Sequence, residues 1–162
     1  MLRKAKPLGG SPMVFARRPY PRERRNSLLR FIVGVFIVLH GLVHLLYFAH
    51  SQNLIELRPE MVWPEGSWAI SKLFGDEASR LLASISYVLA AIGFVAGGTG
   101  MLLRQDWWRP VVMGSAAFSA VIIILFWDGA MQMLDDKGGI GLLINLSILV
   151  ALLILRWPSL GF

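Results

Sequence analysis

The chain has 162 residues, of which 56% are hydrophobic and 16% are charged, whereas about 25% of the residues in a soluble domain are charged. This composition excludes a soluble globular protein. The absence of cysteine excludes disulfides, thiolate zinc sites and iron–sulfur clusters. Most of the net charge of +6 comes from one N-terminal block beside an apolar segment, so the expected partner of that block is anionic lipid and not nucleic acid.

Residues 1–27 are predicted to form a solvated cytoplasmic tail. The segment is rich in Arg, Lys and Pro, and Glu23 is its single acidic residue. Such a sequence cannot bury enough apolar surface to fold alone.

The first apolar run, residues 28–50, is long enough to cross a hydrocarbon core of about 30 Å as a helix. It contains His40 and His44, which share one helix face with Tyr47 and Ser51 because these residues are spaced by three or four. Polar groups at this depth cannot face lipid without a large cost. We therefore expect this face to turn toward other helices.

The rest of the chain contains three more apolar runs, which predict three further spans. Basic residues flank the spans on one side, at the tail, Arg104, Arg109 and Arg156, whereas most acidic residues lie on the other side. The positive-inside rule then places both termini in the cytoplasm. The predicted fold is an all-α integral membrane four-helix bundle, multi-pass, in a bacterial-type cytoplasmic (inner) membrane. Its parts are spans at residues 28–50, 80–103, 110–134 and 139–155 within a domain at 28–156, an external loop at 51–79, and a short tail at 157–162.

The external loop contains the segment Trp63 to Trp68. Its tryptophans are typical of a piece that lies in the headgroup layer, and an ordinary loop explains the segment equally well.

The second span contains a stripe of small residues that includes Gly93 and Gly97. Helices in lipid associate through close backbone contact, which such stripes permit. We expect these glycines to pack against a neighbouring helix of the same chain; the alternative is a face for self-association or for a partner subunit.

A layer of polar residues is predicted in the outer half of the bundle. Counting residues from the span centres places one or more polar groups of each span there. One interpretation is hydrogen bonding between helices, and a second is a pocket for a ligand or a quinone headgroup. Asp128 has a further interpretation, in which it reaches headgroup water. The candidate ligand-binding residues are His40, His44, Tyr87, Asp128 and Asn145.

Haem and metal are weaker interpretations of the same layer. Axial haem ligands must approach opposite faces of the macrocycle, but His40 and His44 point the same way, so haem is not expected. The His-x-x-x-His spacing would allow a metal with Asp128 as third ligand, but the spacing alone is a weak signal, and no metal site is predicted. No catalytic constellation is found in the sequence, so an enzyme is not favoured.

Arg30-x-x-x-Gly34 followed by His40-Gly41 in a first span resembles the opening helix of DoxX-like proteins, which are small bacterial four-helix membrane proteins. That family often has a lysine soon after the His-Gly, where this chain has His44. The resemblance implies an inner-membrane protein with redox or quinone association.

The leading functional prediction is an accessory or anchor subunit of a larger membrane complex, linked to respiratory or other electron transfer. One alternative is a quinone- or lipophilic-ligand-binding component of a membrane oxidoreductase, with quinone as the ligand. Another is a small transporter, for which neither a broken helix nor an internal repeat is evident.

Overall fold

The computed structural model describes residues 21–57, 61 and 63–160, and within them all regular secondary structure is helical. Most of the predicted tail lies outside the described residues, but residues 21–27 form the first turns of a helix. Pro21 suits this position because a first-turn residue needs no backbone N–H bond. The helices are α1 (Pro21–Ser51), α2 (Ile70–Phe74), α3 (Asp76–Leu102), α4 (Trp108–Phe126) and α5 (Ile140–Leu149), which continues as a wider π-type turn (Val150–Ile154).

Within the part of the chain that the structure describes, four segments are long and apolar enough to span a membrane, as predicted. The chain is therefore compatible with a multi-pass membrane four-helix bundle. The side on which each terminus lies stays a prediction. The candidate spans are Arg24–Ser51, Asp76–Leu102, Trp108–Phe126 and Asp135–Ile154.

Helix α3 is the centre of the bundle, and its glycines allow two neighbours to approach closely. A Cβ on Gly98 would lie 2.8 Å from Val38 Cγ2 and 2.9 Å from the carbonyl oxygen of Gly34, both in α1. On the other face of α3, a Cβ on Gly97 would lie 2.5 Å from Val112 Cγ2 in α4, and one on Gly93 would collide with Ser115. The small-residue stripe thus packs against two helices of this same chain.

Helix α4 is shorter than the predicted third span, because it ends at Phe126 and not at residue 134. Two features end it there. Asp128 Oδ1 accepts a hydrogen bond from the N–H of Ala130 (3.0 Å), and Gly129 adopts a left-handed φ of 82°. The chain then enters α5 through a π-type turn, Asp135–Gly139, so the fourth candidate span begins before the predicted residue 139.

The loop that the sequence predicts to be external folds over one end of the bundle. Trp63 is only 2% exposed and packs with Tyr87, Phe126 and other core residues, whereas Trp68 is 47% exposed. Trp68 nevertheless bonds the end of α4: its indole Nε1 donates to Ile124 O (2.8 Å), and its backbone N–H donates to Trp127 O (2.8 Å). The two tryptophans of the segment therefore differ: Trp63 is part of the core of the bundle, and Trp68 lies at its surface.

Candidate functional site

Three helices meet at a hydrogen-bonded cluster of four buried side chains, which we call the polar cluster. His40 and His44 come from α1, Ser119 from α4 and Asn145 from α5. His40 Nε2 and Asn145 Oδ1 are 2.8 Å apart, Asn145 Nδ2 donates to Ser119 Oγ (2.8 Å), and Ser119 Oγ lies 2.7 Å from His44 Nε2. The cluster thereby joins α1 to both α4 and α5.

The direction of these bonds follows from one carbonyl group. His44 Nδ1 lies 3.0 Å from the carbonyl oxygen of His40. A carbonyl only accepts, so Nδ1 carries the proton, and Nε2 of a neutral His44 accepts from the Ser119 hydroxyl. Ser119 then accepts from the Asn145 amide, whose oxygen in turn accepts from Nε2–H of His40. Both neutral imidazoles are thus held in one tautomer each.

One nitrogen of the cluster stays outside this chain of bonds. In the tautomer just derived, Nδ1 of His40 is an unprotonated acceptor, and no described residue donates to it. The His40 ring stacks on Phe36, with centroids 6.2 Å apart and an interplanar angle of 10°, and meets Phe94 edge-on. His40 therefore has one free acceptor beside an aromatic side chain of its own helix.

Phe36 also lines an apolar groove between α1 and α5, which we call the α1–α5 groove. Its volume is about 510 Å³, within the usual range of small-molecule sites. Along α5 it extends from Ile140 to Leu152, about 18 Å at helical rise. The groove exists because α5 packs along α4 and meets α1 chiefly through the pair of His40 and Asn145. Its lining residues are Ile32, Val33, Phe36, Ile37, Met101, Ile140, Leu143, Ile144, Ser147, Ile148, Ala151, Leu152, Trp157 and Pro158.

Tyr87 lies next to the polar cluster but does not bond to it. Its ring centroid is 6.1 Å from that of His44, and its side chain is 1% exposed. No described residue forms a hydrogen bond with its hydroxyl. Tyr87 belongs to an outer aromatic cluster with Tyr47 and Trp63, whose ring centroids lie 5.3 and 5.5 Å from its own.

Asp128 is the one candidate residue that the structure places apart from the others. Its Oδ2 forms an ion pair with the ammonium group of Lys137, a residue that is only 6% exposed. Asp128 therefore links the end of α4 to the π-type turn that precedes α5. Among the residues that the structure describes, no three His, Asp or Glu side chains are grouped so that they could hold a metal ion.

Sequence reasoning missed Ser119, which is the hub of the polar cluster. It is fully buried, like Asn145. A sequence signal existed, because Ser115 and Ser119 form a four-residue repeat on one face of the third apolar run. Serine is common in membrane helices, however, and the repeat does not show which of the two bonds to another helix.

No family model, curated protein or solved structure matches the chain. The fold and the site define its class, a small helical protein of the multi-pass membrane type with a polar cluster inside the bundle.

Proposed function

We propose that the protein is an accessory subunit of a larger membrane complex and that it binds a quinone-type lipid in the α1–α5 groove. The observation that carries this proposal is the position of Phe36, which lines the groove and stacks on His40. The groove supplies an apolar bed for an isoprenoid chain. His40 does not line the groove but lies behind the Phe36 ring, so a quinol hydroxyl would reach its Nδ1 only when that ring moves aside. Apolar walls with a few placed polar groups are typical of lipophilic-ligand sites.

The chemistry of His40 favours the reduced form of such a ligand. An unprotonated Nδ1 accepts a hydrogen bond from a quinol hydroxyl but has no proton to give to a quinone carbonyl. The bond from Nε2 to Asn145 supports this tautomer. The site should therefore bind quinol more tightly than quinone.

The proposal that the protein is an accessory subunit, and not itself the catalyst, rests on the hydrogen bonds of the polar cluster. Its members bond chiefly to one another and so hold α1, α4 and α5 together. Such an arrangement supports binding and positioning of a lipid, and a partner subunit would carry out the electron transfer. The basic tail and the charge bias of the connections favour the bacterial cytoplasmic membrane with both termini inside; the DoxX-like resemblance of the first span is consistent with this location.

Quinol retention in a groove-filling variant tests the binding proposal. Ser147 lines the groove, is exposed and bonds only to Leu143 O of its own helix, so Ser147→Phe fills the groove without removing a bond between helices. After incubation with a soluble-chain quinol and removal of free ligand, mass spectrometry should find at least five-fold less quinol than in the unmodified protein. Ala117→Phe, which adds similar bulk on an exposed position of α4 outside the groove, should retain the original amount. Equal retention in both variants would contradict the groove assignment.

The predicted preference for quinol over quinone can be tested on the unmodified protein. The affinities of the protein for the quinol and for the matching quinone are compared in the same detergent. A tighter quinol complex supports the role of His40, and equal affinities contradict it.

Native electrophoresis of the protein extracted in a mild detergent tests the subunit role. The protein should migrate as part of a complex larger than the chain with its detergent, and a lone monomer under all mild conditions would contradict the proposal.

A further inference from the structure

A second cavity lies at the outer end of the bundle, beneath the external loop. We call it the outer cleft; it has a volume of about 550 Å³ and lies between the end of α1 and the beginning of α3. A smaller inner recess of about 110 Å³ adjoins it and shares Ser51, Asn53 and Arg80 with it. The two cavities are separate from the α1–α5 groove, since they share no lining residue with it.

The inner recess is lined by two buried side chains with unpartnered polar atoms. Trp63 is 2% exposed and His50 is 6% exposed, and among the described residues neither the indole Nε1 of Trp63 nor Nε2 of His50 finds a hydrogen-bond partner. An indole N–H can only donate. An acceptor oxygen within reach of this nitrogen would therefore satisfy a buried donor that no described residue of the chain pairs.

The charges of the outer cleft are mixed and closely spaced. Glu77 and Arg80 lie three residues apart on α3, which places them side by side, about 5–6 Å apart at Cβ. Arg80 Nε also contacts Glu65 Oε1 in the recess (3.2 Å). A guanidinium with five N–H donors suits a phosphate group, and a carboxylate at this distance suits an ammonium group.

The cleft also opens toward the lipid. Phe74 and Leu81 line it, and they are 63% and 58% exposed. It lies at the end of the candidate spans, because Ser51 ends one and Asp76 begins the next. This is the depth at which the headgroups of a bilayer lie.

From the charges, the unpaired donor and the apolar lip together, we propose that the outer cleft binds the headgroup of a phospholipid that carries both a phosphate and a primary ammonium group. Arg80, which lines both the cleft and the recess that contains Trp63, receives the phosphate, and Glu77 receives the ammonium. Phe74 and Leu81 contact the beginning of the acyl chains.

The test compares lipids that differ only in the headgroup. The purified full chain in detergent is titrated with phosphatidylethanolamine, phosphatidylcholine and phosphatidylglycerol of the same acyl chains, and native mass spectrometry counts the bound lipid. Phosphatidylethanolamine should show at least five-fold more bound complex than phosphatidylcholine, whose quaternary nitrogen has no N–H to give to Glu77. Equal binding of these two lipids would overturn the proposal, as would preferred binding of phosphatidylglycerol.

A matched pair of variants locates the effect. Glu77→Gln should reduce phosphatidylethanolamine binding to the level of phosphatidylcholine. Glu56→Gln makes the same change of charge at an exposed residue that lines neither cavity, and binding should be unchanged. If Glu77→Gln binds the lipid like the unmodified protein, the cleft is not its site.

Water-soluble glycerophosphoethanolamine separates a lipid site from a site for a free metabolite. At the concentration of the lipid it should not displace bound phosphatidylethanolamine, because it lacks the chains that contact Phe74 and Leu81. Displacement at equal concentration would overturn the assignment to a lipid. None of these three experiments depends on the α1–α5 groove, so their outcomes are independent of quinol binding.

Discussion

Asn145 Oδ1 lies 2.8 Å from Nε2 of His40, across the interface where α1 and α5 otherwise separate to form a groove. This pair is a polar link between two helices that share few close backbone contacts. Lipid offers no hydrogen-bond partner, so separating the two side chains would leave both without one. This cost stabilises the contact between them. It therefore fixes both the width of the groove and the orientation of the His40 ring.

Removal of the hydroxyl at the centre of the polar cluster should weaken the whole bundle. Ser119→Ala deprives both His44 and Asn145 of a partner. Bonds between helices in membranes contribute about 0.6 kcal/mol each on average, so we expect a loss of about 1–2 kcal/mol of unfolding free energy, including the buried groups left unpaired. The measurement is reversible unfolding in mixed micelles.

Ser115→Ala is the matched control for Ser119→Ala. Ser115 lies one turn earlier on the same helix, and its hydroxyl donates only to Val111 O of that helix (2.8 Å). Because its replacement removes no hydrogen bond between helices, the unfolding free energy should fall by clearly less than in Ser119→Ala. A loss equal to that of Ser119→Ala would show that the hydrogen bonds of the polar cluster are not the cause.

Close packing between α1 and α3 should not tolerate even a methyl group. In Gly98→Ala the new Cβ would approach the backbone of Gly34 and Val38, which cannot move without separating the helices. We expect a loss of about 1–3 kcal/mol in the same unfolding assay. Gly114→Ala, with no atom within 4 Å of the new Cβ, should be neutral or slightly stabilising. Equal effects of the two variants would contradict this view of the interface.

Substitutions of Asp128 and Lys137, the ion pair at the beginning of α5, should have strongly non-additive effects on the unfolding free energy. Asp128→Asn keeps the acceptor for Ala130 N–H but leaves the ammonium group of Lys137 without its carboxylate partner. Because the pair is only partly buried, the loss of unfolding free energy should be about 1–3 kcal/mol. The double variant Asp128→Asn/Lys137→Met removes the unpaired charge and should regain most of that loss. The double-mutant cycle is measured by thermal unfolding, and additive losses would argue against the pairing.

The direction of insertion can be measured cleanly because the chain has no cysteine. Single cysteines at Glu56 and Gln105 lie in exposed positions of connections on opposite sides of the bundle. A membrane-impermeant maleimide should label Glu56→Cys in intact spheroplasts and should label Gln105→Cys only after permeabilisation. The reverse pattern would contradict the orientation predicted from the basic residues.

The sequence by itself determined the number of segments that are long and apolar enough to span a membrane, and it predicted the depth of the polar groups. Both follow from lipid thickness, since a helix needs about 20 apolar residues to cross and each residue advances by a known rise. The same reasoning gave the inward turn of the His40 and His44 face, and it included Asn145 among the facing groups. These conclusions need no knowledge of how the helices are arranged.

Only the tertiary structure decided which polar group meets which. It places Ser119 at the centre of the polar cluster and pairs Asp128 with Lys137. Among the described residues it offers no partner to the hydroxyl of Tyr87 or the indole N–H of Trp63. The reason is geometric: periodicity gives the face of a helix and its depth, but bonds of 2.8 Å depend on the rotation and separation of neighbouring helices. Those are set by the contacts of Gly34, Gly97 and Gly98, and so by packing over the whole bundle.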